Sequence, residues 1–198
     1  MTKNTEQLRD AYLALRLRIK NFAALTLICD EFSSAHRVLE NPMALEHGDF
    51  AEVLRDLWIG YFASLVDTTK GATNALTLWK ALFPKKLQRI NEWQHKWKPC
   101  LKIIRDYRNE RSFHATESVF QQIVRWREYN IAQRDIAEMK REFLNIAMEI
   151  FAEEDLESFA TRLDACSKRL NQELPGADFD SEFLARYIFG PGCIDTRA

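Results

Sequence analysis

Apolar side chains recur every three or four residues along most of the chain, whereas no strict alternation of apolar and polar residues recurs. A repeat of three or four places apolar side chains on one face of an α-helix, which is then buried against other helices. The most regular stripes run from Ile136 to Ile150 and from Leu156 to Leu170, and they are typical of a bundle core. The pattern predicts helices over residues 5–39, 49–69, 73–83, 85–112, 130–152 and 156–174.

Several boundaries follow from residues that cap or break helices. Pro175-Gly176 ends the last long helix, and the acidic run at 153–155 marks a break before it. Asn130 is predicted to cap a helix, which leaves residues 116–129 open between helical and extended structure. Pro99 lies within the predicted fourth helix. Because proline has no amide hydrogen, Pro99 either kinks that helix or starts a new one in its first turn.

The composition agrees with a helical fold. Glycine and proline occur only 6 and 5 times in 198 residues, and their scarcity favours few, long elements. The chain is 46% hydrophobic and 29% charged, which provides both a core and a solvated surface. We therefore predict one all-α domain over residues 1–198, a bundle of about five to seven helices. Its core is predicted to span about residues 5–172, followed by a short tail at 175–198.

The chain carries no predicted signal peptide or membrane span. Its N-terminus is charged from the third residue, and its longest apolar stretch, Phe22 to Cys29, has about eight residues, far short of the roughly 20 that a membrane helix needs. The four cysteines, Cys29, Cys100, Cys166 and Cys193, are scattered. We interpret them as reduced thiols in the core of a cytoplasmic protein.

The charge is distributed unevenly, although its sum is only −1. Residues 80–111 hold ten basic and three acidic side chains, a net charge of +7, and the remaining 18 basic and 26 acidic side chains give −8. A basic stretch of this kind is expected of a protein that binds a phosphate backbone. The alternative is a solvated helix face opposite acidic helices of the same bundle. Trp93, Trp97 and Tyr107 are interleaved with the basic residues; they either stack on bases or belong to the core, which is the commoner case.

Most sequence signatures of catalysis are absent. The chain has no glycine-rich phosphate loop, no serine nucleophile elbow and no constellation of two Glu-x-x-His motifs with further glutamates of the kind that di-iron bundles use. Its four histidines stand neither four residues apart nor beside cysteines at zinc-ligand spacing. We therefore predict no metal and no cofactor.

One short motif remains: Arg108-Asn109, four further residues, and His114. An arginine followed at this distance by a histidine is common by chance, and Arg89 with His95 forms a second match. An asparagine directly after the arginine is much rarer. Arg108 also continues the apolar seam of its predicted helix, which makes a partner or ligand necessary for its charge.

With this motif the chain resembles the HEPN superfamily, whose signature is R-x(4–6)-H with a polar residue after the arginine. Its length and helix pattern are most similar to the abortive-infection branch of bacterial HEPN proteins. The motif covers seven residues, and the further resemblance is architectural, over about residues 5–172. It implies a HEPN-like fold and a metal-independent endoribonuclease of a phage-defence or toxin–antitoxin system. The implied partners are a second copy of the chain, single-stranded RNA or tRNA as substrate, and an antitoxin protein.

The resemblance also implies roles for the motif residues. His114 would act as general base on a ribose 2′-hydroxyl, or as acid on the leaving oxygen, while Arg108 holds the scissile phosphate and Asn109 orients the pair. The substrate carries its own nucleophile, so a base and a fixed cation suffice. In a continuous helix Arg108 and His114 would lie about 120° apart, which fits a site composed by two protomers. Further phosphate-binding residues are expected at Arg111, Arg105, Lys102 and Lys98.

Two features leave other hypotheses open. Glu110 and Arg111 occupy positions where the family more often has small apolar residues, so Glu110 either neutralises Arg108 or Arg111 adds a phosphate ligand. The alternative function is a non-catalytic HEPN-like interaction or nucleotide-binding module. A third hypothesis is an unrelated helical regulator in which Arg108 pairs with an acidic residue across the bundle and His114 begins a loop.

Overall fold

A computed structural model describes residues 3–38, 48–66, 74–109, 119–153, 156–176 and 179–189. These ranges are almost wholly helical and contain no β-strand, which confirms the all-α prediction. None of the helices in them is long and apolar enough to cross a membrane. In chain order the elements are α1 (Lys3–Val38), α2 (Gly48–Val66), α3 (Ala75–Leu82), a 3₁₀ turn (Pro84–Lys86), α4 (Leu87–Lys96), α5 (Lys98–Tyr107), α6 (Val119–Phe151), α7 (Leu156–Glu173) and α8 (Ser181–Phe189).

Helices α1 and α2 form an antiparallel pair. Arg18 Nη2 donates a hydrogen bond to Ser64 Oγ, and further along α1 the buried Thr26 hydroxyl accepts one from Trp58 Nε1 at 2.9 Å. Because the partner residue on α2 moves back along the chain as α1 advances, the two helices run in opposite directions.

Helices α4 and α5 pack together on α6, again in the opposite direction. At the α4 end, Trp93 Nε1 donates to the backbone oxygen of Met139 at 3.2 Å. At the α5 end, the rings of Tyr107 and Tyr129 lie 5.3 Å apart. The long α6 therefore packs against both helices of the basic stretch, α4 and α5.

The core is centred on an aromatic cluster around Phe143 of α6. The rings of Phe22, Phe62, Trp79 and Trp93 all lie within 6.2 Å of the Phe143 ring, between centroids. These rings come from α1, α2, α3 and α4, so one residue of α6 contacts four other helices. Trp79 Nε1 is buried and has no hydrogen-bond partner in the described part of the chain.

Most predicted elements agree with the structure. The first stripe is buried throughout: its five residues are Ile136, Met139, Phe143, Ile146 and Ile150. The break predicted at 153–155 lies between α6 and α7, and α7 ends where Pro175-Gly176 follows, with Gly176 at φ 93°. The described residues contain eight α-helices rather than five to seven. The predicted fourth helix is divided at Trp97. The C-terminal tail, for which the sequence predicts one short turn around residues 183–188, contains the helix α8.

Two predictions were wrong. Asn130 does not cap a helix, because α6 begins at Val119 and runs through it, so the described part of the ambiguous segment is helical. Tyr129 is buried next to it, and this packing outweighs the local preference of asparagine for a cap. Cys166 is exposed, although it continues the second stripe; Cys100 is buried as predicted. Cys193 lies outside the described residues.

Candidate functional site

The basic stretch is divided by a break in the helix at Trp97. Helix α4 ends at Lys96, Trp97 takes φ −97° and ψ 9°, and α5 begins at Lys98 with Pro99 in its first turn. The first amides of a helix have no acceptor within it, so proline is tolerated there. Pro99 therefore starts a new helix instead of kinking a continuous one.

A groove of about 750 Å³ runs along the outer side of α4 and α5 and is bounded by the C-terminal end of α2. No acidic side chain is among the described residues that line it. Its basic side chains include four that the sequence predicted as functional: Lys98, Lys102, Arg105 and Arg108. The remaining lining residues are Ala63, Val66, Asn91, Gln94, His95, Pro99, Leu101 and Ile104.

At one end of this groove Arg108 is held by its neighbour. Arg108 Nε and Nη2 donate to Asn109 Oδ1 at 3.1 and 2.9 Å. Both residues are half-buried, and the backbone widens there into a π-helical turn, a feature that is frequent at functional sites. Adjacent residues of a regular α-helix do not face each other. The observed contact thus accompanies a local departure from α-helical geometry.

Two basic side chains of the groove form ion pairs with the same carboxylate. Lys102 Nζ lies 2.9 Å and Arg105 Nε 3.6 Å from the carboxylate of Asp106, and both basic side chains are more than half exposed. Pairs whose basic side chain is this exposed contribute little to stability. Lys98 has no acidic partner among the described residues.

Other lysines of the basic stretch do not belong to the groove. Lys96 Nζ bridges Glu138 and Glu142 of α6, at 3.2 and 2.7 Å. Lys86 Nζ contacts Glu153 at 3.0 Å. The hydrogen bond to Glu142 raises the pKa of Lys96, and that to Glu153 raises the pKa of Lys86. The solvated-face interpretation therefore holds for these two lysines.

The aromatic residues of the stretch belong to the core rather than to a stacking surface. Trp93, Trp97 and Tyr107 are all buried. Trp97 Nε1 donates to Glu142 Oε2 at 2.8 Å, and Tyr107 Oη donates to Asp56 Oδ1 at 2.7 Å. Their polar atoms are thus used within the bundle.

Tyr107, the residue before Arg108, contacts a polar cluster at the end of α5. Asp56 accepts the hydrogen bond from Tyr107, and Arg55 lies over the ring of Tyr129 with 5.9 Å between its Cζ and the ring centroid. Burial raises the pKa of Tyr129 well above its usual range. The sequence prediction did not include Asp56. The available signal was a charged pair, Arg55-Asp56, between the apolar residues Val53-Leu54 and Leu57-Trp58 of α2.

The structure brings only part of the predicted motif together. Arg108 and Asn109 are in contact, whereas His114 and Arg111 lie outside the described residues, as does Glu110. His95, taken from the sequence as part of a coincidental match, is exposed and lines the same groove as Arg108. In the ranges that the structure covers, no three His, Cys, Asp or Glu side chains are grouped so as to hold a metal ion.

Comparison with models of known protein families, with characterised proteins and with solved structures finds no match to this chain. The groove and the motif that begins at Arg108 are therefore the features of this chain that point to a function.

Proposed function

We propose that this protein binds single-stranded RNA, tRNA included, in the groove along α4 and α5 and cleaves it as a metal-independent endoribonuclease. The observation that carries the proposal is that Lys98, Lys102, Arg105 and Arg108 line one groove that contains no described acidic side chain. A row of cations on one surface is what a phosphate backbone requires. The chemistry is taken from the Arg108-Asn109-x4-His114 motif.

In the proposed reaction His114 removes the proton from a ribose 2′-hydroxyl, and the 2′-oxygen attacks the adjacent phosphorus. The bond from phosphorus to the 5′-oxygen breaks, and that oxygen leaves with a proton from the same or a second histidine. Arg108 stabilises the charge on the phosphoryl oxygens. Asn109 supports this role, because its side-chain oxygen holds the guanidinium without neutralising it.

The HEPN-like family, the homodimer, the antitoxin partner and the phage-defence setting belong to the same proposal. They are supported by the motif and by its agreement with an all-α fold. Two protomers would bring two copies of the motif together.

The direct test is cleavage of RNA by the purified protein in EDTA. We expect products with a 2′,3′-cyclic phosphate and a 5′-hydroxyl, and resistance of DNA and 2′-O-methyl RNA. His114→Ala and Arg108→Ala should each reduce the rate by about 10²–10⁴-fold without lowering the melting temperature. Arg134→Ala, at an exposed position of α6 that does not line the groove, is the matched control. Cleavage of DNA, or cleavage that requires magnesium, would contradict the mechanism.

A further inference from the structure

The groove has two chemically different ends. Its cationic side chains all lie on α5 or directly after it, from Lys98 to Arg108. On α4 its lining residues are instead Asn91, Gln94 and His95. Cations bind every nucleotide alike through phosphate, whereas amides and imidazoles recognise the hydrogen-bonding edges of bases. The α4 end is therefore suited to selection rather than to affinity.

Gln94 is held in one orientation by a lysine of another helix. Lys80 Nζ, on α3, donates a hydrogen bond to Gln94 Oε1 at 2.7 Å. An ammonium group is only a donor, so the amide oxygen must face Lys80 and the amide nitrogen must point away from it. Within the described ranges, Gln94 Nε2 has no acceptor. The half-buried Gln94 thus has N–H donors that no acceptor among the described residues engages.

A fixed donor discriminates between bases that are otherwise similar. Uracil carries a carbonyl oxygen at position 4, where cytosine carries an amino group. A donor that meets position 4 of the base would make a hydrogen bond with the oxygen of uracil and would oppose the amino group of cytosine. Gln94 lies on α4 and Arg108 directly after α5, so the two residues line different parts of the groove.

We infer that Gln94, oriented by Lys80, is a specificity-determining residue that selects uracil over cytosine, on the strand in the groove, by donating a hydrogen bond to the group at position 4 of the base. This inference rests on the proposed RNA binding. It adds a base preference that the cationic residues do not supply.

The experiment compares the affinity of the protein for 2′-O-methyl U10 and 2′-O-methyl C10, which cannot be cleaved, by fluorescence anisotropy at low salt. The wild type should bind U10 more tightly by roughly fivefold, which is the value of one hydrogen bond. Gln94→Glu keeps the contact with Lys80 as an ion pair but makes the side chain an acceptor only, so the preference should change to C10. Lys80→Met frees the amide to turn and should bring the ratio close to one.

Gln133→Glu, at an exposed position of α6, adds the same charge outside the groove and should leave the ratio of the two affinities unchanged. Equal binding of U10 and C10 by the wild type, or a ratio unaffected by Gln94→Glu, would overturn the inference and leave RNA binding standing; Gln94 would then only join α3 to α4. Absence of binding by either oligonucleotide would overturn the proposed function, and the inference with it.

Discussion

Arg108 donates two hydrogen bonds to a single oxygen of its neighbour Asn109, from Nε at 3.1 Å and from Nη2 at 2.9 Å. A guanidinium has five N–H donors in a rigid plane. Fixing two of them restricts where the rest of the group points. Because the acceptor is a neutral amide oxygen, the contact with Asn109 orients Arg108 without itself cancelling charge.

Two substitutions at Asn109 separate orientation from charge. Asn109→Asp preserves an oxygen in place but cancels the charge of Arg108, so RNA affinity should fall by roughly tenfold. Asn109→Ala removes the hydrogen-bond acceptor but adds no charge. RNA affinity should therefore change less than in Asn109→Asp, and the cleavage rate of the bound RNA should fall more than the affinity does. Binding by anisotropy and single-turnover cleavage measure the two effects. An Asn109→Asp variant that binds and cleaves like the wild type would show that the contact has no functional role.

The cationic face of the groove predicts a strong dependence of RNA binding on salt. Each neutralised phosphate of a single strand contributes about 0.7 to the slope of log affinity against log salt. Lys98→Glu, Lys102→Glu and Arg105→Glu should each weaken binding and lower that slope, as measured by titrations between low and physiological salt. Lys168→Glu, at an exposed position of α7, makes the same charge change away from the groove. If it weakens binding equally, only net charge matters and the groove is not the binding surface.

Glu142 predicts a pH-dependent contribution to stability. Desolvation disfavours its charged form, but hydrogen bonds from Lys96 and Trp97 outweigh that effect, and its pKa is lowered in the folded protein. A carboxyl group of this kind stabilises the fold above its unfolded pKa, near 4.3, and loses that contribution as the pH falls through its folded pKa.

Glu142→Gln should therefore lower the free energy of unfolding at pH 7 by about 1 kcal/mol. At a pH well below the usual pKa of glutamate, the substitution should not change the free energy of unfolding. Urea denaturation of both proteins at pH 7 and pH 3 measures this. Because the glutamine side chain still offers an oxygen to Trp97 Nε1, the loss of stability measures the contribution of the ion pair with Lys96. An equal loss at both pH values would contradict the assignment.

The buried hydroxyl of Tyr107 predicts a loss of stability that is specific to its position. Tyr107→Phe removes the donor to Asp56 and leaves that carboxylate less well satisfied, so the free energy of unfolding should fall by about 1 kcal/mol. Tyr187→Phe, at a residue of α8 that is 54% exposed, should change it by much less. Chemical denaturation of the two variants compares them directly. Equal stabilities would show that the bond to Asp56 has no net value.

Elements that depend on local geometry could be predicted from the sequence. The stripe from Ile136 to Ile150 is buried as predicted because a repeat of three and four side chains defines one face of any α-helix, whatever lies opposite. Cys166 also continues an apolar stripe, but it is exposed, so the prediction that it is buried was wrong. Periodicity identifies a face, but burial of that face requires a neighbouring helix at that level.

The candidate site shows the same division. The sequence by itself determined that a basic stretch ends in Arg108-Asn109, and that Pro99 either kinks a helix or starts one. Only the tertiary structure decided which cations are available. Lys96 and Lys98 are chemically identical and two residues apart, yet Lys96 contacts the acids of α6 and Lys98 lines the groove. The physical reason is that the acids contacted by Lys96 come from a segment more than 40 residues away along the chain, and only the packing of α4 on α6 places them next to one lysine and not the other.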